Sequence, residues 1–362
     1  MIRISQLKIP IRHTDEELLL AAAKALKLPP NRILDFSINK KSIDARKDEI
    51  KYIYSIDAAI SLKPKESEEE IVRRSHNENV TIAKIERYTF LPKGERKLKA
   101  RPVIVGTGPA GLFAAYLLAK NGYQPLVLER GYEVRKRVEA VEHFWQTNEL
   151  NPECNVQFGE GGAGTFSDGK LNTMVKDANN RYRLVMETFV QFGAPSDILF
   201  LNKPHIGTDQ LRSVIEHMRK EIVQLGGEVR FGTALTDLII EAGKIIAIEI
   251  NHKEKLPCEL LIPAIGHSAR DTFEMFLKRG IKMTSKAFAI GLRIEHKQSI
   301  ISRSQYGKDY IHLPAADYKL THQTSKGRGV YSFCMCPGGF VVNASSEPGA
   351  IAVNGMSNYQ RD

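Results

Sequence analysis

The chain has 362 residues, 42% of them hydrophobic and 26% charged, with a formal net charge of +10 from 52 basic and 42 acidic side chains. These are ordinary globular values, so they exclude a disordered, fibrous or collagen-like chain, and the length predicts two or three domains. No apolar run approaches a spanning helix, MIRISQLKIPIRHTDEE lacks the apolar core of a signal peptide, and four scattered cysteines make no disulfide framework. The expectation is a cytoplasmic protein.

Residues 1–90 alternate strand and helix patterns. RISQLKIPI reads as a strand. Thr14 caps a helix over Asp15–Leu26, with Glu17 three residues on as the second half of a capping box. ILDFSINKKSI and EIKYIYSIDAAI follow as strands, ESEEEIVRR as a helix and NVTIAKIE as a short strand. This order predicts a small α+β, ferredoxin-like accessory domain without a catalytic constellation. From Arg87 to Arg101 six basic residues face one acid, Glu95, and residues 91–100 read as a basic linker. No nucleic-acid motif accompanies it, so nucleic acid is not the expected partner.

At Arg101 the pattern changes. PVIVGTGPAGLFAAYLLAKNGYQPLVLERG reads as buried strand, glycine turn, apolar helix and second strand ending in Glu129 and Arg130. Gly106, Gly108 and Gly111 have the GxGxxG spacing, with Pro109 and Ala110 opening the helix. Their roles are a tight turn, close approach to a pyrophosphate, and helix–strand packing. Glu129, 18 residues after Gly111, stands where a carboxylate accepts from an adenosine ribose. Together these predict a dinucleotide-binding, Rossmann-like α/β domain over residues 101–280.

A second GxGxxG, Gly159, Gly161 and Gly164, is not preceded by a buried strand or followed by an apolar helix. It reads instead as a flexible loop in which Gly161, Gly162, Ala163, Gly164, Thr165, Ser167 and Lys170 surround a polar cofactor group. TDQLRSVIEHMRKEIVQLGG is an amphipathic helix with a glycine stop, and EVRFGTALTDLIIEAGKIIAIEI is a set of strands around an EAGK turn. ELLIPAIGHSARD is a strand that would return beside the first unit and place Gly266 at the carboxyl edge of the sheet. Residues 281–362, with AFAIGLRIEH and GVYSFCMCPGGFVVNAS, read as a strand-rich substrate-facing portion inserted on the α/β domain.

The segments VIVGTGPAG, GEGGAGTFSDGKLNT, PHIGTDQL, AIGHSARDTFEM and CMCPGGFVV, in this order, resemble the FAD-dependent (NAD(FAD)-utilising) dehydrogenases over nearly the whole chain. The resemblance implies an FAD-dependent oxidoreductase. Gly106, Gly108, Gly111 and Glu129 would then hold pyrophosphate and ribose, with Gly161, Gly162, Gly164 and Ser167 near the flavin. Ile265 replaces a threonine of the usual turn. Family members end in a Gly-Asp segment that has no counterpart here, so the resemblance also implies a truncated chain. The implied partners are a small-molecule substrate or electron acceptor and a transiently bound NAD(P)H, and no metal is expected.

Candidates for an acid or base are Lys170, His205 and His267, and the two histidines have a structural alternative, His267 as a helix cap and His205 as a loop residue. Arg270 reads as a phosphate or carboxylate contact, or as the ion-pair partner of Asp271 or a neighbour. Cys334 and Cys336 read either as a redox pair facing the flavin or as inert core cysteines, since CxC is tighter than the CxxC of dithiol enzymes. The rival readings of the whole are an inactive dinucleotide-binding remnant and a protein that uses NAD alone.

Overall fold

The structure is a computed structural model that describes residues 1–46, 49–91, 94–173 and 175–361. Residues 92–93 of the expected linker lie outside the described residues. The N-terminal part runs β1 (Ile2–Pro10), α1 (Asp15–Leu26), β2 (Ile33–Asp44), β3 (Lys51–Ile60), α2 (Glu68–Ser75) and β4 (Val80–Ile82). Its antiparallel sheet has the order β2-β3-β1-β4, the ferredoxin-like arrangement expected. The Thr14–Glu17 capping box is present, and Ser67 and Glu70 form a second one at α2. Ile2, Ile4, Ile56 and Ala58 alternate onto the face covered by Leu18, Ala22 and Ile71 of the helices. Strand β2 also bonds to a later loop, through Lys41 N–Phe200 O at 2.7 Å and Asn202 N–Lys41 O at 2.9 Å.

The central part opens with β5 (Val103–Val105), α3 (Pro109–Lys120), β6 (Leu126–Leu128), α4 (Val134–Thr147), α5 (Arg181–Gln191), α6 (Thr208–Gln224) and β7 (Glu228–Arg230). A meander of β8 (Leu235–Glu241), β9 (Lys244–Ile250) and β10 (Glu254–Pro257) follows, then β11 (Leu261–Pro263) and α7 (Arg270–Lys278). Strand β11 returns beside β5, giving a wholly parallel sheet of order β11-β5-β6-β7. Strand periodicity sorts its two faces. Ile104 and Val127 pack on α3, α5 and α6, whereas Val103, Val105, Leu126 and Leu128 pack on the meander and Phe276. The protein is thus mixed α/β with a Rossmann-like core, and the strand predicted at ELLIP occupies its expected place.

Beyond α7 the structure departs from the reading. AFAIGLRIEH has a strand's alternation, yet residues 281–297 carry no regular element, and Phe288, Ile290, Leu292 and Ile294 are 73–100% exposed. A period of two becomes a strand only when a neighbour accepts its backbone bonds, and among the described residues no strand pairs with this stretch. The sequence reading also missed α8 (Gln298–Tyr306). A 3-10 turn over Gly307–His312 follows, then two hairpins, β12 (Thr321–Gln323) with β13 (Gly329–Tyr331) and β14 (Phe340–Asn343) with β15 (Val353–Met356). Val342, Ala344 and Met356 bring the second hairpin onto Val141 of α4 and onto Val156 and Phe166.

Candidate functional site

A cavity of about 510 Å³ opens at the carboxyl edge of the parallel sheet, within the usual range for ligand pockets. Its walls come from five separate segments. The β5–α3 turn gives Gly106, Gly108, Pro109 and Ala110, and the end of β6 gives Glu129 and Arg130. The second glycine segment gives Gln157, Phe158, Gly159, Gly162, Ala163 and Gly164. Thr233–Leu235 and the stretch from Pro263 to Phe276 close it, with Ile265, Gly266 and His267 among the latter.

The glycines explain how these segments meet. Gly106 has φ +101°, and a Cβ there would stand 2.5 Å from the Ala264 carbonyl oxygen, so β11 can lie against the turn only because the side chain is absent. A Cβ at Gly111 would overlap the Gly106 carbonyl, which fits its expected packing role. Gly108 is the residue before α3, and no side chain caps this helix end. Its uncapped end, with a positive partial charge from aligned peptide dipoles, faces the cavity and suits an anion.

The second glycine segment is not the flexible loop expected. Residues 162–166 form a 3-10 turn, and Gly161 N donates to Thr107 O at 2.9 Å, tying it to the first glycine turn. Arg137 of α4, fully buried, fixes the segment by donating to five carbonyl oxygens, those of Asn155, Val156, Gly159, Glu160 and Gly162, at 2.6–3.2 Å. Burial pushes its pKa down to about 10, which leaves it charged at neutral pH. Glu160, also fully buried, pairs with Arg219 at 2.6 Å and accepts from Val134 N. The sequence reading passed over Arg137 because a charged residue on an amphipathic helix is ordinarily solvated.

Glu129 lines the cavity, but its carboxylate is already engaged. One oxygen accepts from Thr107 N and Oγ1 at 2.8 and 2.7 Å, the other from Gly131 N and Gly159 N at 2.9 and 3.0 Å. Four donors fill the lone pairs expected to receive a ribose, so Glu129 knits the two glycine segments to the end of β6. Arg130 donates to Asp271 at 2.7 Å and lies over the Phe158 ring. Arg270 consequently pairs with Glu347, not with Asp271.

Gly161, Thr165 and Ser167 are not among the residues lining the cavity. Thr165 donates to Glu160 O at 3.2 Å, and Ser167 Oγ accepts from Gly169 N at 3.4 Å. His267 lines the cavity with Nδ1 against Ser268 Oγ at 2.9 Å; it caps no helix, since α7 starts at Arg270 after Ala269. Lys170 and His205 are not in the lining. The structure brings these two together, as an antiparallel backbone bridge of Lys170 with His205 closed by Ile206 N donating to Gly169 O and Leu171 N to Pro204 O, each at 3.1 Å. His205 stacks on Tyr359, and its Nε2 is 2.9 Å from Tyr359 O. Burial, with Arg361 adding to it, lowers its pKa from the ordinary 6.5. A histidine held neutral binds its proton more readily once unfolded, so this stability is full above the ordinary value and is lost as pH falls through the folded one. His205→Gln should flatten the drop in unfolding free energy between about pH 7.5 and about pH 5.5, measured by urea titration; an unchanged drop would discount this contact.

The chain is 46% identical, over 365 aligned positions covering all of it, to an uncharacterised protein of Clostridium beijerinckii, of which it spans 67%. The chain belongs to the family of that protein. The description "FAD-dependent protein, C-terminal domain-like" matches residues 287–362, "NAD(P)-binding Rossmann-like domain" matches 104–152, and a domain of unknown function matches 1–59. The chain therefore carries a Rossmann-like nucleotide-binding segment together with a segment matched to FAD-dependent proteins. Neither the 67% span nor the C-terminal match is a ground for calling the chain truncated. Similar solved structures include THI4 of Thermovibrio ammonificans (21% identity, TM-score 0.33, 50% of this chain and 62% of that one). L-proline dehydrogenase from P. horikoshii is another (14%, TM-score 0.29, 51% and 57%). The chain spans less than two thirds of either, and likenesses of this depth carry no functional argument. Among the described residues, no helix is long and apolar enough to cross a membrane, and no group of three or more His, Cys, Asp or Glu is placed to hold a metal.

Proposed function

We propose that this chain is an oxidoreductase that binds FAD in the cavity between its two glycine segments and acts on a small-molecule substrate or electron acceptor. The observation that carries the reading is the meeting of Gly108, at the uncapped end of α3, with Gly162 of the Arg137-locked turn. A Cβ on Gly108 would have nothing nearer than the Gly162 Cα at 3.8 Å. Side chains are missing where a pyrophosphate must approach backbone, so the residues present fit the group.

In this reading Gly106, Gly108, Pro109 and Ala110 hold the pyrophosphate. Arg130 and Phe158 flank the end of β6, and Ala163, Gly164 and Gly266 bound the remainder. The flavin, when bound, supplies hydride chemistry. The protein binds it, orients it and excludes water. Of the titratable side chains in the lining, Glu129 is consumed by four donors and Arg130 by Asp271, which leaves His267, its Nδ1 against Ser268 Oγ, as the acid–base candidate facing the cavity. The segment matched to FAD-dependent proteins supports the assignment by its docking. Asn354 donates to Phe166 O at 3.1 Å, and Trp145 donates to Asn343 O at 2.8 Å.

The Rossmann-like match favours NAD as the second reading, so the test must separate the two. Purified protein incubated with FAD and desalted should keep a flavin absorption band that dithionite bleaches, while NAD alone should bind weakly by calorimetry. Colourless protein that binds NAD tightly would overturn the assignment.

A further inference from the structure

Away from the cavity, Lys170, Arg293 and the two cysteines Cys334 and Cys336, from three distant segments, come together. Cys336 Sγ lies 3.9 Å from Lys170 Nζ and 3.8 Å from the Cys334 carbonyl oxygen, so the chain turns back on itself between the two cysteines. Cys334 has φ +53°, a left-handed conformation that non-glycine residues adopt only where surroundings enforce it. Arg293 enforces it, donating to Cys334 O at 2.7 Å while reaching Asn354 Oδ1 at 3.3 Å. Met335 is anchored elsewhere, its sulfur accepting from Tyr318 N. Room for Cys336 is made by Gly355, where a Cβ would come within 2.6 Å of Sγ. Both cysteines are partly exposed, unlike the buried Cys154 and Cys258.

We propose that Cys334 and Cys336 are a redox-active dithiol that reduces a low-molecular-weight disulfide, Cys334 attacking and Cys336 resolving. The inference stands on this cluster and not on FAD. The Cys334 thiolate attacks one sulfur of RS–SR. That S–S bond breaks, RS⁻ leaves and takes up a proton, and a mixed disulfide remains on Cys334. Cys336, losing its proton beside Lys170, then attacks the Cys334 sulfur and expels the second RS⁻. The dithiol is oxidised by two electrons to a disulfide, and RS–SR is reduced to two RSH. The electrostatics suit this division. The hydrogen bond from the Cys336 thiol, with Lys170 and Arg293 nearby and burial opposing, brings Cys334 down to about 5. The same bond and burial push Cys336 up, and Asp168, paired with Arg361, is the acid facing it.

The test uses the full chain with oxidised glutathione as the disulfide, followed by alkylation of remaining thiols and tryptic mapping. Both cysteines fall in one peptide, residues 329–361. The wild-type peptide should lose two hydrogens and resist alkylation. Cys336→Ser, in which the hydroxyl still donates, should retain glutathione on residue 334, and its iodoacetamide rate near pH 6 should exceed that of a free cysteine by about 10-fold or more. Lys170→Met should slow closure of the wild-type disulfide. A wild-type peptide with both thiols fully alkylated after treatment, whatever the folding of the variants, would overturn the proposal. So would a Cys334 rate equal to that in the denatured chain. A colourless protein with a closing dithiol would reject FAD and keep this site, so the two readings fail separately.

Discussion

Replacing Arg137 by methionine should cost about 3–5 kcal/mol of unfolding free energy, a large share of a domain's net stability. The guanidinium is fully buried and is the hydrogen-bond donor to five carbonyls of residues 155–162. Methionine fills much of the volume and restores none of the donors. Each stranded carbonyl then bears a desolvation cost of about 1–3 kcal/mol unless the segment rearranges or admits water. Rearrangement is the expected outcome, and it reaches the cavity, because Gly159 and Gly162 are both clamped by Arg137 and line the pocket. The neighbouring acids Glu129 and Glu160, whose charges favour the guanidinium, would also lose its positive charge. Arg137→Lys keeps the charge, but three rotatable donors on one nitrogen cannot span five acceptors set around a planar fork. It should recover only part of the loss. Urea titration of both variants, with limited proteolysis to locate cleavage within 155–166, checks this. A methionine variant within about 1 kcal/mol of wild type would show that water or another side chain satisfies these carbonyls.

That clamp also marks where the sequence stops being readable. Features that depend on neighbours a few residues apart were legible, among them the Thr14–Glu17 box, the Gly106–Gly108–Gly111 turn and the apolar strand leading into Gly266. Each carries its own local physical signature. Features closed by distant partners were not. Nothing in VRKRVEAVEHF distinguishes Arg137, which goes inward, from Arg135, which meets Glu216 at the surface. Glu129 follows β6 at the cavity, but the donors that fill its carboxylate include Gly159, thirty residues on. His205 looked like a loop histidine near the chemistry, whereas its ring partner, Tyr359, is 154 positions away and holds it outside the cavity lining. The reverse error is AFAIGLRIEH, whose local pattern is that of a strand although no partner strand among the described residues completes it.

Placing a carboxylate at the mouth of α3, by Gly108→Asp, should abolish FAD retention while leaving the fold intact. The position tolerates a side chain. Gly108 has φ −66° and ψ 179°, the extended geometry of a residue preceding a helix, and its Cβ would meet only the Gly162 Cα at 3.8 Å. Aspartate is among the preferred residues there. It accepts from amides of the first turn that no side chain now caps, and it opposes the helix dipole favourably, worth about 1 kcal/mol. The apo protein should therefore melt at the same temperature or higher. The same amides are those that a pyrophosphate needs, and the new charge stands a few ångströms from where that anion would sit. Like charges about 4 Å apart near a protein surface repel by roughly 4 kcal/mol, so FAD affinity should fall on the order of 100-fold or more. Gly108→Asn separates the two causes. It caps the helix with nearly the same shape but no charge, so its loss should be about 10-fold smaller or less severe still. Flavin absorbance after desalting and calorimetric titration with FAD read both variants, and a thermal melt of each confirms the fold. Equal affinities for the aspartate and asparagine variants would mean that the anion does not lie at this helix end. Unchanged flavin retention in both would move the cofactor away from the first glycine turn altogether.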